Sequence, residues 1–362
     1  MRIEDIWWKR LSNPTNLIDA VVETLLDNRS AVVVFNETIP WRETFMDTIA
    51  QEIEMYSAEM RIKHHALSDT QDPGDFLLQK YCSRELQREY WPTDSKAKFL
   101  AEHPQCSLHK SYVFIDLSGD ADRWISFIKE YTSYLKEDTH GLFVLFTNDR
   151  RFLDAQKKKG ESELADAPIQ FWDYAAYVHD YDTFLLCMTI LSQKKLSMQQ
   201  QQYLSEIAVA LAGDSVVLAG ELADRGEALA WDTSTVFQET MHTLGIFADN
   251  VPAQVRKALW QAQLKVLFPR LEQFRCQLIE AYRKDITDRF YDARTGTFNC
   301  ETPDELELGQ LQFLFKNTRI LSMHDHELLF AAKEARNCLA HLNYLPYQEM
   351  KTLLEMNVHS KD

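Results

Sequence analysis

Glycine is scarce in this sequence, and paired cysteines and long apolar runs are missing from it. Only 10 of the 362 residues are glycine, which favours a helix-rich chain. The six cysteines contain no CxxC pair, and we interpret them as reduced thiols. No apolar run reaches the length of about 18 residues that a membrane helix needs, and no apolar signal core follows Met1. These absences favour a soluble cytoplasmic protein without a membrane partner.

The remaining composition is that of a folded protein with an acidic balance. Apolar residues make up 45% of the chain and charged residues 26%, which excludes a disordered or fibrous class. The length predicts two or three domains. The net charge of −16 opposes binding of a polyanion, but residues 251–362 contain 15 Lys+Arg and 15 Asp+Glu. We therefore expect any RNA contact in the last third of the chain.

Residues 1–190 read as an α/β domain, a parallel sheet flanked by helices. Apolar runs rich in β-branched residues predict strands, which alternate with helical patterns, and the middles of three of these strands are expected to be buried on both faces. The predicted strands are Ala31–Phe35, Met60–Ala66, Ser111–Leu117, Gly141–Thr147 and Pro168–Trp172. The predicted helices are Trp41–Tyr56, with Pro40 as a first helical residue, Ala121–Leu135 and Asp180–Leu191.

Beyond this domain the signals are helical. Residues 191–250 are expected to form a helical lid or linker, with helices through Gln199–Leu211 and Val216–Leu229. Residues 251–362 are expected to form an all-α bundle. Its predicted helices are Ala253–Phe268, Arg270–Phe290, Leu306–Leu321, Asp325–Leu342 and Tyr347–Asn357, with a loop at Tyr291–Pro303.

The loop after the first strand stands where P-loop proteins hold phosphates. That loop needs glycines, so that backbone N–H groups approach the phosphates, and a lysine that reaches them. Laid on GxxxxGK[ST], this chain has Asn36 and Trp41 for the glycines, Arg42 for the lysine and Glu43 for the hydroxyl residue. We therefore predict that the loop binds no nucleotide cofactor and that the protein does not hydrolyse ATP.

The order of the later landmarks resembles an AAA-type NTPase. Asp116 ends a strand as a metal-holding aspartate would, but Leu117 replaces the acidic residue that follows it, and Thr147-Asn148 stands where a sensor would. The resemblance implies a degenerate, P-loop NTPase-like domain over residues 1–190 with 191–250 as its lid. An unrelated α/β domain with an ordinary turn after its first strand remains open.

The string Arg336-Asn337-Cys338-Leu339-Ala340-His341 lies in the predicted helix Asp325–Leu342. At about 100° per residue, one narrow arc of that helix is apolar and should face the core. It consists of Leu328, Ala332, Ala335, Leu339 and Leu342. A second stripe on nearly the opposite side holds Phe330, Glu334, Asn337 and His341, with Arg336 on the flank. Polar groups with catalytic potential are thus expected to point outward, toward a second protomer.

This RNxLAH string resembles the Arg-x4-His signature of HEPN domains, over residues 251–362. The resemblance implies a homodimer and metal-independent cleavage of RNA, in which the RNA 2′-hydroxyl attacks the neighbouring phosphate. It implies that Arg336 stabilises phosphate charge and that His341 is the general acid or base. Asn337 would orient these groups and Glu334 would tune them. A toxin or defence effector, regulated by the inactive N-terminal domain, is the context that the family suggests.

Other interpretations of these residues remain open. HEPN domains also serve as scaffolds, so a non-catalytic adaptor with protein partners on the N-terminal domain is the alternative function. Structurally, Arg336 and His341 are also placed to satisfy helix-terminal carbonyls. Among possible metal ligands, His324 and His326 point apart on a helix, and Ser322 with Asp325 reads as an N-cap box. No metal site is predicted.

Overall fold

The computed structural model describes residues 1–36, 38–56, 61–67, 71–117, 121–135, 141–156, 167–292, 300–316 and 318–356. They form two compact units, Met1–Asp182 and Thr183–Asp362. Each unit is described by itself. Parts of several predicted elements lie outside the described residues: the strand start at Met60, most of the loop Tyr291–Pro303, Asn317 in the predicted helix Leu306–Leu321 and the helix end at Asn357.

The first unit contains the parallel sheet that the sequence predicts. Its strands are β1 (Ser30–Val34), β2 (Arg61–Leu67), β3 (Ser111–Leu117), β4 (Leu142–Thr147) and β5 (Ile169–Asp173). All pairs are parallel, in the order β2-β3-β4-β1-β5. β1 and β4 are buried along their whole length, which explains why their sequences are apolar throughout.

Helices flank this sheet. They are α1 (Ile3–Arg10), α2 (Ser12–Leu26), α3 (Arg42–Tyr56), α4 (Pro73–Tyr81), α5 (Arg84–Glu89), α6 (Lys96–Glu102), α7 (Asp122–Ser133), α8 (Arg151–Gln156) and α9 (Tyr174–Tyr177). The next helix, α10 (Asp180–Leu191), begins at the end of this unit, and its residues from Thr183 belong to the second unit. Trp7 and Trp8 of α1 are fully buried. Trp8 packs against Phe45 of α3 with ring centroids 4.4 Å apart, so this pair anchors the N-terminal helix.

The predicted start of α3 at Pro40 is wrong, because the helix begins at Arg42. The carbonyl of Pro40 accepts a hydrogen bond from the indole N–H of Trp8, at 2.9 Å. Trp41 then takes a left-handed backbone conformation with φ +45°. A residue with that φ cannot belong to a right-handed helix, so the turn ends one residue before α3.

The second unit is helical. Its helices are α11 (Met198–Ala212), α12 (Val216–Asp224), α13 (Ala228–Trp231), α14 (Thr233–Thr243), α15 (Val251–Ala281), α16 (Arg283–Asp292), α17 (Leu308–Phe315), α18 (Met323–Ala340) and α19 (Tyr347–Leu354). The predicted helix Val216–Leu229 is two helices, separated where Gly226 adopts φ +59°. No helix of the described residues is long and apolar enough to cross a membrane.

A long helix, α15, replaces the predicted helix Ala253–Phe268 and the first part of Arg270–Phe290, the rest of which lies in α16. The sequence predicts a break at Pro269, yet α15 continues through it. Proline inside a helix removes one hydrogen bond and clashes with the preceding turn, at a cost of about 3 kcal/mol. Leu267, Leu271 and Phe274, on both sides of Pro269, are at most 1% exposed. Burial of these side chains offsets the cost and keeps the helix continuous.

Residues 191–250 belong to the same compact unit as the helices that follow them, whereas three segments, 1–190, 191–250 and 251–362, were expected. Gln263 of α15 shows why. Its fully buried amide donates to the hydroxyl of Tyr203 on α11, at 3.1 Å, and to the carbonyl of Leu345, at 2.8 Å. It also accepts from the N–H of Leu345, at 2.7 Å. One buried side chain thus joins α11, α15 and the turn before α19.

Candidate functional site

In the first unit, Arg42 stands where a P-loop would have its phosphate-binding lysine. Arg42 Nη2 lies 2.8 Å from Asp116 Oδ1, and the guanidinium packs over the rings of Phe35 and Phe146, at 4.9 and 5.4 Å. Burial lowers the pKa of Arg42 and the Asp116 carboxylate partly opposes that effect. The positive charge next to Asp116, at the end of β3, is therefore that of the Arg42 side chain.

Other residues at the carboxyl ends of the strands also contact one another. Val34 at the end of β1 is paired with Thr147 of β4 and Asp173 of β5, so the carboxyl ends of these strands are level. Arg150 donates to Asp173, with its shortest contact at 2.8 Å, and to the side chain of Asn36. Ligands of open α/β sheets bind at this edge, and here it holds arginine–carboxylate pairs.

The backbone at Trp41, which stands in place of a P-loop glycine, also opposes phosphate binding by this loop. Trp41 has φ +45°, a conformation that glycine adopts freely and other residues adopt at a cost of about 1–2 kcal/mol. The turn thus keeps a backbone typical of glycine while it presents an indole, 6.4 Å from the ring of Trp7. Glu37, within the same loop, lies outside the described residues.

No metal centre is found among the described residues, where no three His, Cys, Asp or Glu side chains gather around one point. The histidine pair of β2 faces two ways. His64 packs against the ring of Phe114, whereas the Nε2 atom of His65 shares a hydrogen bond with the hydroxyl of Tyr81, at 2.9 Å. Burial lowers the pKa of both imidazoles.

In the second unit α18 carries the RNxLAH string. Its apolar arc is buried: Leu328, Ala332, Ala335 and Leu339 are at most 5% exposed. Leu342, predicted to continue that arc, is 61% exposed, because the helix ends at Ala340 and Leu342 turns into a left-handed conformation. On the other stripe Phe330, Glu334 and His341 are exposed and Asn337 is half-buried.

The structure does not join the four predicted site residues to each other. Arg336 pairs with Glu307, the residue before α17, at 3.0 Å, and Glu334 pairs with its neighbour Lys333 at 2.9 Å. Along a helix Arg336 and His341 are about 140° apart around the axis. A single copy of the chain therefore does not bring guanidinium and imidazole to one point by helix geometry alone.

His341 lies in a capped turn rather than inside the helix. The N–H of Leu342 bonds to the carbonyl of Leu339 and the N–H of Asn343 to that of Cys338, both at 3.1 Å. This pair of hydrogen bonds, with a left-handed residue at Leu342, is a Schellman motif. The motif ends the helix at His341, whose imidazole is exposed.

Two residues of α15 hold that turn in place. Trp260 donates its indole N–H to the carbonyl of Leu339, at 3.0 Å, and Arg256 donates to the side chain of Asn343, also at 3.0 Å. The sequence suggested Arg336 or His341 as donors to the carbonyls at the end of this helix. The carbonyl of Leu339 has Trp260 as a donor instead. Neither α15 residue was predicted, since nothing in the sequence pairs residues so far apart.

The cysteine inside the string is poorly suited to act as a nucleophile. Burial raises the pKa of the Cys338 thiol, and Glu349 raises it further. A thiol reacts as its thiolate, so a raised pKa keeps Cys338 in the unreactive form at neutral pH.

The start of α18 fits the predicted cap and adds a buried acid. The Ser322 hydroxyl accepts from the N–H of Asp325 at 3.0 Å, as the sequence predicts. The Asp325 carboxylate, fully buried, accepts from the Tyr282 hydroxyl at 2.7 Å. Burial and this carboxylate raise the pKa of Tyr282. Asp325 thus anchors α18 to the end of α15.

Comparison with known proteins gives little beyond this geometry. No protein-family model matches the chain, and no curated protein does. Among solved structures, the chain is similar to the Aeropyrum pernix ORC2 protein, determined as ADPNP and ADP complexes. The identity is 14%, the alignment covers 89% of this chain and 93% of that one, and the TM-score is 0.32. A TM-score of that size does not establish a shared fold.

Proposed function

We propose that this protein is a metal-independent endoribonuclease of the HEPN type, with Arg336 and His341 as its catalytic residues. The observation that carries the proposal is the orientation of α18. Its apolar arc is buried, while the imidazole of His341 is exposed and the Arg336 side chain is 37% exposed. Both groups are therefore accessible to a ligand from solution.

The reaction follows from these two groups. A base removes the proton from an RNA 2′-hydroxyl, the 2′-oxygen bonds to the adjacent phosphorus, and the 5′-oxygen of the next nucleotide leaves with a proton from an acid. The products are a 2′,3′-cyclic phosphate and a 5′-hydroxyl. The Arg336 guanidinium stabilises the charge on the phosphate oxygens, and His341 transfers the proton. Asn337 orients the imidazole, and Glu334 tunes the charge nearby.

A homodimer supplies what one chain lacks. Proton removal and proton donation need two groups, and each chain offers one histidine at this position. Phe330 is 52% exposed on the same face as His341, where a second copy would cover it. Two copies paired through this face place two arginines and two histidines around one cleft.

In this proposal the first unit is a degenerate, AAA-like module that regulates or targets the nuclease without binding ATP. Arg42 supports this part, because its cation already neutralises Asp116, and Trp41 occupies the turn where a phosphate would need glycine. Titration calorimetry with Mg-ATP is expected to show no binding heat. Affinity for Mg-ATP in the micromolar range would overturn this assignment.

The nuclease is tested by incubating the purified protein with single-stranded RNA in EDTA. We expect cutting to cyclic-phosphate ends, and loss of cutting in both Arg336→Ala and His341→Ala. Matched controls are Arg319→Ala and His326→Ala, which remove exposed residues of the same types from the same unit. Activity that survives in both site variants, or that falls equally in the controls, would remove the proposed site.

A non-catalytic scaffold is the second candidate, and one observation favours it. Arg336 is already engaged by the Glu307 carboxylate, at 3.0 Å, as a structural residue would be. On this alternative Phe330 and its neighbours mediate pairing alone. Self-association without any cleavage of RNA, in the assay above, is the outcome that separates the two functions.

A further inference from the structure

We propose that Glu307 is a built-in competitor of the RNA phosphate, which holds Arg336 until substrate displaces it. This inference rests on the proposed ribonuclease function and assigns a regulatory residue to its site. Its basis is the ion pair between Arg336 Nη2 and Glu307 Oε2, at 3.0 Å. Among the residues that the structure describes, Glu307 is the one that forms an ion pair with the proposed phosphate-binding group.

A carboxylate is a reasonable stand-in for a phosphodiester. Both present negatively charged oxygens to the planar fork of a guanidinium, and arginine binds the two by the same geometry. A phosphate that binds this edge of the guanidinium therefore competes with the Glu307 carboxylate for the Nη2 N–H groups of Arg336.

The pair is exposed enough to be displaced. The side chains of Arg336 and Glu307 are 37% and 59% exposed. Ion pairs of this exposure contribute little to stability and are screened by salt. An incoming phosphate therefore faces a modest barrier, so Glu307 attenuates binding rather than abolishing it.

The backbone presents the Glu307 carboxylate at a fixed place. Its neighbours Leu306 and Leu308 are at most 1% exposed, so the chain on both sides is anchored in the core. The N–H of Glu307 also donates to Gln310 Oε1 at 2.7 Å. The start of α17 thus holds the Glu307 carboxylate next to Arg336.

The test measures RNA binding apart from cleavage. A labelled oligonucleotide with 2′-deoxy sugars throughout keeps the phosphates and lacks the attacking hydroxyl. Its affinity is compared among wild type, Glu307→Gln, Arg336→Ala and the double variant. Glu272→Gln is the matched control, since it removes the same charge from another arginine–glutamate pair, Arg275–Glu272 at 2.8 Å, in which the glutamate side chain is 49% exposed.

We expect Glu307→Gln to bind about three- to five-fold more tightly than wild type, the size of an exposed ion pair. The gain should vanish in the double variant with Arg336→Ala, and Glu272→Gln should bind like wild type. Equal affinity of Glu307→Gln and wild type would overturn the competitor role, even if wild type cuts RNA. An equal gain in Glu272→Gln would also overturn it, because general charge would then explain the effect. A gain that depends on Arg336 supports it even if cleavage is never seen.

Discussion

The sulfur atoms of Cys82 and Cys106 lie 3.5 Å apart in the core of the first unit. Both residues are buried, at 7% and 2% exposed, and both belong to the cluster that packs on one side of β3. The chain between them contains α5 and α6. All six cysteines are free thiols, and these two are close enough to be joined by a small movement.

Treatment of the native protein with diamide is expected to join Cys82 and Cys106. Diamide takes up two hydrogens and leaves one disulfide, which mass spectrometry of a digest identifies. The bond closes a loop of 24 residues and should raise the free energy of unfolding by about 3 kcal/mol. Cys82→Ser is the control, in which urea unfolding should not change on oxidation. Absence of the cross-link even when the protein refolds from urea in the presence of diamide, so that the two buried thiols are accessible, would contradict the observed spacing.

Arg42→Ala is expected to lower the free energy of unfolding by about 1–3 kcal/mol. The substitution leaves Asp116 without its cation and opens space against Phe35 and Phe146. Urea unfolding measures the loss, with Arg151→Ala as the control, because Arg151 is 66% exposed in its ion pairs. If both variants lose the same amount, the pair with Asp116 has no special role in stability.

The stability of the second unit is expected to fall at acid pH through Glu227. Lys351 Nζ and the Tyr347 hydroxyl both donate to Glu227 Oε1 at 2.9 Å. The pKa of Glu227 is lowered, mainly by the hydrogen bond from Lys351. A lowered folded pKa gives stability that is present above the unfolded value and is lost as pH falls through the folded one. Urea unfolding between about pH 5 and pH 3 should therefore change less with pH in Glu227→Gln than in wild type. Identical pH dependence in the two proteins would contradict this role.

If the proposed homodimer forms, Phe330→Asp is expected to convert it to a monomer. A charge in the middle of an apolar contact is costly to bury, and Phe330 is 52% exposed on the face that carries His341. Light scattering gives the mass in solution. Phe247→Asp is the matched control, because Phe247 is 95% exposed and lies on the loop before α15, away from the RNxLAH string in sequence. A wild-type monomer, or an unchanged dimer in Phe330→Asp, would count against pairing through this face.

The three central strands β1, β3 and β4 could be predicted from the sequence because they are buried. β3 spans Ser111–Leu117, the range that its apolar run predicts, and α10 spans Asp180–Leu191, as predicted. Burial on both faces leaves a continuous apolar signal, and the turns between strands limit its ends. The outward stripe of α18 could also be predicted, since helical periodicity alone decides which residues share a face.

Contacts between distant parts of the chain could not be predicted. Arg336 gives no sign that Glu307 holds it, and Arg42 gives none that it reaches Asp116, because each pair forms only after the helices and strands pack. The helix through Pro269 was missed for a similar reason: the local penalty is visible in the sequence, and the core contacts that offset it are not. Local rules thus placed the elements, while tertiary packing decided which charges meet.

The most direct test of the proposed ribonuclease is cleavage of an RNA that lacks one 2′-hydroxyl. An oligonucleotide that the protein cuts in EDTA is resynthesised with a single deoxy sugar on the 5′ side of the preferred linkage, and its fragments are resolved at single-nucleotide length. If the RNA itself supplies the nucleophile to a site made by Arg336 and His341, that linkage stays intact while the others are cut. Cutting at the deoxy linkage, or no cutting of any RNA in EDTA, would contradict the account.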